Sequence, residues 1–452
     1  MGAAGAVQAV RHTDRAGEDG PVGTDDAGYD VLGVGFGPAN LALAVALREH
    51  PWRDAKTTFI ERQPRFGWHP GMLIQDATMQ VSFLKDLATL RNPVSSCGYL
   101  SYLHERGRLV SFVNQKDFFP TRIEYHDYLE WAAAKFAGMV TYGTEVVGAT
   151  AVQEGEDVRA FDVTCREVAT GRVTTRRTRN LVIATGLVPR MPPGITASKR
   201  VWHSSELLHR VAGLDGREPR RFSVVGAGQS AAEVVAYLHS AFPRAEVTGV
   251  VPRYGYIPAD DSPFANQVFD PDAMDDFYQS PPGVKDNFYA YHANTNYAVV
   301  DLELINDLYR RMYRESVRGP RRLTMLRMSR VKEVAETRNG VLLRITREMA
   351  DRTEEHTVDV VVFATGYEPM DAVAALGPVA SLCKRSSSGA LRVARDHRVE
   401  TASRVRAGIY LQGGTEHTHG ISASLLSNIS GRAWDIIESI AFRQRPSGSH
   451  RP

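Results

Sequence analysis

Cysteine is scarce: Cys97, Cys165 and Cys383 are the only three in 452 residues. They are odd in number and far apart, so they make neither a disulfide framework nor a metal-ligand spacing, which suits a reducing cytoplasm. Cys97, next to Ser96, carries no motif that marks a nucleophile and reads as packing. No run of about 18 apolar residues occurs, so no membrane span is expected. Charge of one sign is also missing: 54 Lys and Arg against 52 Asp and Glu leave no field to draw nucleic acid or a membrane surface. The opening MGAAGAVQAVRHTDRAGEDGPVGTDD lacks the apolar core of a signal peptide, and Ala6 stands where a myristoylation signal needs Ser or Thr. Residues 1–27 and 444–452 are therefore expected to be a disordered leader and tail.

What is present is an ordinary globular composition, 43% apolar with 9% aromatic, in a chain long enough for two or three interlocked domains. Folded sequence is expected from Tyr29. DVLGVGF reads as a buried strand, PANLALAVALREH as a helix, TTFIER as a second strand and IEYHDYLEWAAAKF as a further helix. Alternating segments between Val140 and Ala184 read as antiparallel strands ending on NLVIATG. A second strand, turn and helix, RRFSVVGAGQSAAEVVAYLHS, starts at Arg220 and leads to the strand AEVTGVVPR. Residues 254–308 read as an irregular insertion, VLLRITRE and TVDVVVFATGYEP as strands, and the end as a strand, a glycine-rich loop and a long helix. Two such units imply an α/β architecture with two Rossmann-like dinucleotide-binding domains and an inserted segment.

The two glycine turns differ in their surroundings. In the first, Gly33, Gly35 and Gly37 lead into Pro38, a residue suited to a first helical turn; in the second, Gly226 and Gly228 lead into Ala231. Such a turn brings backbone close to a pyrophosphate, whose charge the helix N-terminus stabilises. About 20 residues on, at the end of the next strand, a side chain meets the ribose. There the first unit has Glu61, an acceptor for free ribose hydroxyls as in FAD, and the second has Arg253, a cation for the 2′-phosphate of NADPH. The plainer alternative makes both ordinary surface residues. Taken with IATG (183–186) and FATGY (363–367), the pair implies a flavoprotein reduced by NADPH.

The motifs GVGFGPANLALA, WHPGMLIQDATMQVSFLKDLATLRNP, GAGQSAAE, DDSPFANQVFDP, NTNYAVVD, DVVVFATGYEP and GGTEHTHGISASLLS run in family order from about Asp30 to Phe442. The chain resembles the microbial N-hydroxylating flavin monooxygenases, the L-ornithine N5- and L-lysine N6-monooxygenases, and its motifs read most like those of actinobacterial ornithine N-hydroxylases. The resemblance implies a flavin lined by Trp68, His69 and Leu425, with Gln80 beside the ring. It implies that Lys85 grips the amino acid carboxylate, that Asn266, Asn296 and Ser427 line the same pocket, and that Gln80 and Asn296 position the reactants with no side chain as acid or base. Gln229, Ser230, Tyr297 and Arg122 fall to NADPH, alongside Arg253; the relatives' 2′-phosphate arginine lies about one position earlier, where this chain has Pro252. FAD binding is assigned to 28–208 and 366–443, NADPH binding to 209–264 and 309–365, and substrate to 265–308.

The implied reaction is hydroxylation of the side-chain amine of L-ornithine by O2 through a C4a-hydroperoxyflavin, for hydroxamate siderophores or related products. L-lysine or a diamine is the alternative substrate, and a cytoplasmic homotetramer the implied assembly. Each residue has a plainer reading. Lys85 could pair with Asp86; Asn266 and Asn296 could shape turns; EHTH could put His417 and His419 on one strand face toward a metal, although packing on the flavin is preferred. DDSP reads as a capped turn rather than a pair of acid–base carboxylates. A flavin disulfide reductase would need a Cys-x-x-Cys, and a Baeyer–Villiger or sulfide monooxygenase would lack FLKDL and NTNY.

Overall fold

The computed structural model describes residues 24–214, 216, 218–295 and 297–444. The first unit begins with β1 (Thr24–Val34), α1 (Pro38–Glu49) and β2 (Thr57–Ile60), and continues with α2 (Tyr99–Glu105), α3 (Leu109–Gln115) and α4 (Arg122–Ala134). Strands β3 (Val140–Thr141), β4 (Thr144–Glu154), β5 (Asp157–Glu167) and β6 (Val173–Ile183) complete a sheet ordered β3-β2-β1-β6-β5-β4, with β17 (Gly408–Leu411) also on β6. β1 pairs in parallel with β2 and β6, whereas β4, β5 and β6 pair antiparallel. α1 is buried from Asn40 to Leu47 because it lies between this sheet and α13 (Ile429–Gln444). β1 starts five residues before Tyr29, pairing Thr24 with Thr175 across an irregularity. Residues 24–27, the end of the segment expected to be leader, are drawn into the sheet because β6 offers them an open edge, while residues 1–23 and the tail 445–452 lie outside the described residues.

The second unit is a wholly parallel sheet, β11-β10-β9-β15-β8, formed by β8 (Val201–His203), β9 (Arg221–Val225), β10 (Glu246–Val250), β11 (Leu323–Leu326) and β15 (Val360–Phe363). α5 (Leu207–Ala212) precedes β9, and α6 (Gln229–Ala241) comes after it. A separate antiparallel sheet, β12 (Ser329–Thr337), β13 (Gly340–Arg347) and β14 (Arg352–Val358), packs beside it through Val341, Leu343 and Ile345. The chain crosses between the units twice, and the crossings form one ribbon of β7 (Leu187–Pro189) and β16 (Tyr367–Pro369). α11 (Ala372–Leu376) then leads back to the first sheet.

Within the range 254–308, expected to be irregular, residues 263–292 and 302–308 are mostly helical. They form α7 (Pro263–Asn266), α8 (Pro271–Gln279), α9 (Pro282–His292) and the start of α10 (Leu302–Arg318). Each of the first three starts with proline at its first position, where the missing N–H has no intrahelical partner. Prolines that look like breakers are here the starts of short helices. α12 (Glu416–His419) likewise replaces the strand expected for EHTH, so His417 and His419 do not share a strand face. No helix among the described residues is long and apolar enough to cross a membrane.

Candidate active site

The two glycine turns sit at the same place in their sheets. β1 lies between β2 and β6, and β9 between β10 and β15, so each turn leaves a central strand at the carboxyl edge, where doubly wound sheets bind nucleotides. Gly35 has φ +83°, and a Cβ there would come 2.5 Å from the carbonyl of Ala184; one on Gly226, φ +152°, would come 2.4 Å from that of Ala364. Ala184 and Ala364 belong to the two ATG segments, so each of these is the strand end against which its glycine turn closes. Neither α1 nor α6 has a side-chain cap: Gly37 and Gly228 stand at their N-caps. Around Gly37 a Cβ would meet nothing within 4 Å. That open, uncapped N-terminus fits the pyrophosphate of a dinucleotide. Glu61, just past β2, accepts from Phe36 N at 2.6 Å and Gln63 N at 2.7 Å, which holds its carboxylate against the first turn.

Arg253 stands beyond β10, half-buried, with Nη1 donating to the carbonyl of Ala298 at 3.0 Å. Ala298, at φ +56°, also lies 3.4 Å from where a Cβ of Gly228 would be. Tyr297 is next to it and 44% exposed. Ser230 is the second residue of α6. Gln229 is tied down rather than free: its Nε2 donates to Glu233 and its Oε1 accepts from Asp301 N, linking α6 to α10.

Trp68 and His69 lie at the junction of the units, their rings 5.1 Å apart. Tyr367, from β16, packs against His69 at 5.5 Å and His203 at 5.3 Å. Burial, with the Arg122 charge nearby, pushes the His69 imidazole down to about 4. That shift favours the neutral ring near neutral pH. Arg122, at the start of α4, makes two bonds to Glu233 of α6, at 2.9 and 2.8 Å, and one to the carbonyl of Met72. It thus bolts one unit to the other. Glu233, 4% exposed, closes the motif GAGQSAAE, but an acidic residue on an apolar helix face gives no sign in the sequence of its distant partner.

Lys85 sits in a loop pinned by Met79 N to Pro120 O and Phe83 N to Phe118 O. Its Nζ lies 5.6 Å from the Phe269 ring, facing the helical insertion. No carboxylate comes within ion-pair distance of it among the described residues. Burial lowers its pKa, and Asp270 opposes this. The alternative partner, Asp86, is turned inward: it accepts from the backbone N–H of Ala88, Thr89 and Tyr99 and from the Thr89 hydroxyl. Gln80, in the same loop, is exposed. Leu425 packs with Val268, Phe269 and Ile421, joining the C-terminal loop to the insertion. Ser427 is 2% exposed, and its hydroxyl has no partner among the described residues. Asn266 uses its amide nitrogen on the carbonyls of Asp261 and Ser262, the turn-shaping reading, and Ser262 caps α7 as DDSP suggests. Asn296 lies outside the described residues. His417 donates to the carbonyl of Leu391, and His419 stacks on buried His397 at 4.2 Å.

Two uncapped glycine turns on two doubly wound units, one beside an acidic and one beside a basic side chain, define a two-dinucleotide flavoprotein of the monooxygenase or reductase kind. The family described as L-lysine 6-monooxygenase/L-ornithine 5-monooxygenase matches residues 27–369, and the chain belongs to it. The ornithine N-hydroxylase of Kutzneria sp. 744, solved with reduced FAD, NADP+ and L-ornithine, is 48% identical with a TM-score of 0.90, over 92% of this chain and 100% of that one. The ornithine hydroxylase of Pseudomonas aeruginosa is 35% identical with a TM-score of 0.86, over 92% and 100%. The L-ornithine N(5)-oxygenase of Arthrobotrys oligospora is 38% identical over 93% of this chain and 90% of its own length.

Proposed function

We propose that the chain hydroxylates N5 of L-ornithine, using FAD and NADPH. Amine, O2, NADPH and a proton give hydroxylamine, water and NADP+. When bound, FAD supplies the relay of two electrons from NADPH to oxygen and holds the activated oxygen for the amine. The chain's own residues do the rest. Gly33, Gly35, Gly37 and Pro38 carry the first pyrophosphate and Glu61 the ribose; Gly226, Gly228 and Ser230 carry the second, with Arg253 on its 2′-phosphate side. Arg122 and Glu233 hold the two units in register, so hydride donor and acceptor meet.

The observation that carries the reading is Lys85: a partly buried ammonium with no ion-pair partner among the described residues, facing the insertion. An unpaired charge in such a place is costly unless a ligand's anion completes it. The α-carboxylate of an amino acid does so, and the distance from that anchor then decides which nitrogen reaches the oxygen. A free alkyl amine is mostly protonated below about 10.4 and attacks only when neutral. Fixing the acid end makes each deprotonation count. Ornithine is favoured over lysine because the ornithine hydroxylases of known structure are 48% and 35% identical to the chain, against 28% for a lysine 6-monooxygenase that covers as much of it.

Three free, buried cysteines support a cytoplasmic setting. Family resemblance supports a homotetramer and a product destined for hydroxamate siderophores or related compounds. The test is a purified sample: yellow, and consuming NADPH with ornithine, lysine or putrescine, scored for hydroxylamine. Hydroxylamine from ornithine above the other two supports the reading; a colourless protein that retains no FAD refutes it.

A further inference from the structure

The resemblance puts the relatives' 2′-phosphate arginine where this chain has Pro252, so the charge has to be found elsewhere. β10 and β11 are parallel neighbours that end side by side, Val250 opposite Leu326. Beyond those ends the two chains stay joined: Met328 N donates to Arg253 O and Ser329 N to Val251 O, both at 2.9 Å. Met328 takes φ +47°, a left-handed conformation rare for a side chain of that size. Arg253 and Arg327 therefore flank one backbone junction at the carboxyl edge of the second sheet.

Arg327 differs from Arg322 and Arg330, its neighbours on either side of the strand end. Arg322 is paired with Glu315, and Arg330 with Glu348. Arg327 is exposed and has no carboxylate partner among the described residues; its guanidinium lies over the Tyr254 ring, 5.1 Å from the centroid. The ring attracts the guanidinium without using up its N–H groups, which stay free for the two-point contact arginine makes with phosphate. Arg253 spends one N–H on Ala298 and keeps the others.

We propose that Arg327, held over Tyr254, supplies together with Arg253 the positive charge that receives the adenosine 2′-phosphate of NADPH. The proposal rests on NADPH binding by the second unit. A charge shared between two strands fixes both position and orientation of the phosphate, where the sequence alone points to Arg253.

The test titrates oxidised holoenzyme with NADP+, NAD+ and 2′,5′-ADP by calorimetry, with a thermal melt of each variant. Arg327→Ala should weaken NADP+ and 2′,5′-ADP by about tenfold and leave NAD+ within about twofold. Arg327→Lys keeps the charge and loses the fork, so it should recover part of the loss. An NADP+ to NAD+ affinity ratio in Arg327→Ala equal to the wild-type ratio would overturn the proposal. A wild-type enzyme without preference for NADP+ would overturn the NADPH reading itself, and the two failures are distinct.

Discussion

Gly35 and Gly226 hold equivalent places in the two sheets, each pressed against the alanine carbonyl of an ATG segment. From that common frame the two units diverge at one point, the end of the next strand. In the first, Glu61 folds back onto the glycine turn through Phe36 N and offers an acceptor. In the second, Arg253 and Arg327 stand free of carboxylates among the described residues and offer donors. On the proposed reading one backbone device serves two nucleotides, and a few charged side chains tell them apart. The difference also shows that a glycine turn identifies a dinucleotide site without naming its occupant.

The comparison breaks first at the backbone. Gly35→Ala and Gly226→Ala each place a Cβ inside a carbonyl at positive φ, and each should cost more than the roughly 1–3 kcal/mol of backbone strain alone. Loss of soluble, yellow protein checks this. Gly37→Ala meets no protein atom within 4 Å and should fold normally, yet retain FAD less tightly on gel filtration if, as proposed, that space receives the pyrophosphate. Next comes the bolt between units. Glu233→Gln strands the Arg122 charge where both side chains are nearly buried, 13% and 3% exposed, and should cost about 3 kcal/mol in denaturant melts. Arg253→Ala should raise the NADPH KM by about tenfold and the NADH KM by under about twofold, as expected for loss of one phosphate contact. Equal effects on both would take Arg253 out of the phosphate site.

The smallest effect is on stability. Burial holds the Lys85 pKa down, so below that value the folded chain carries a charge it disfavours, and stability recovers as pH rises through it. Lys85→Met should therefore raise the melting temperature of the ligand-free enzyme at neutral pH by about 1–3 °C. For the same reason ornithine affinity should fall on the alkaline side earlier than an unperturbed lysine would allow.

Much of the fold is legible in the sequence. β1, α1, β2, α4 and the second strand, turn and helix come from apolar periodicity with glycine and proline as punctuation, and the seven motifs mark the family. The insertion departs from its expected irregular form because Pro263, Pro271 and Pro282 act as first residues of helices, not as breakers. Arg122 is legible as a residue near the cofactors, but its bond to Glu233 spans 111 positions, a separation no local pattern reports. Asp86 shows the reverse: adjacency suggests a pair with Lys85, and the local turn claims it instead. Arg327 carries no signal of its own, because its meaning comes from the neighbouring strand.

The central claim, that Lys85 holds the acid end of the substrate, is tested most directly by titrating ornithine into Lys85→Ala holoenzyme while monitoring NADPH oxidation. The account predicts a loss of ornithine affinity of about 100-fold, with NADPH still consumed and its electrons released as peroxide instead of hydroxylamine. Ornithine affinity equal to that of the wild type would contradict it.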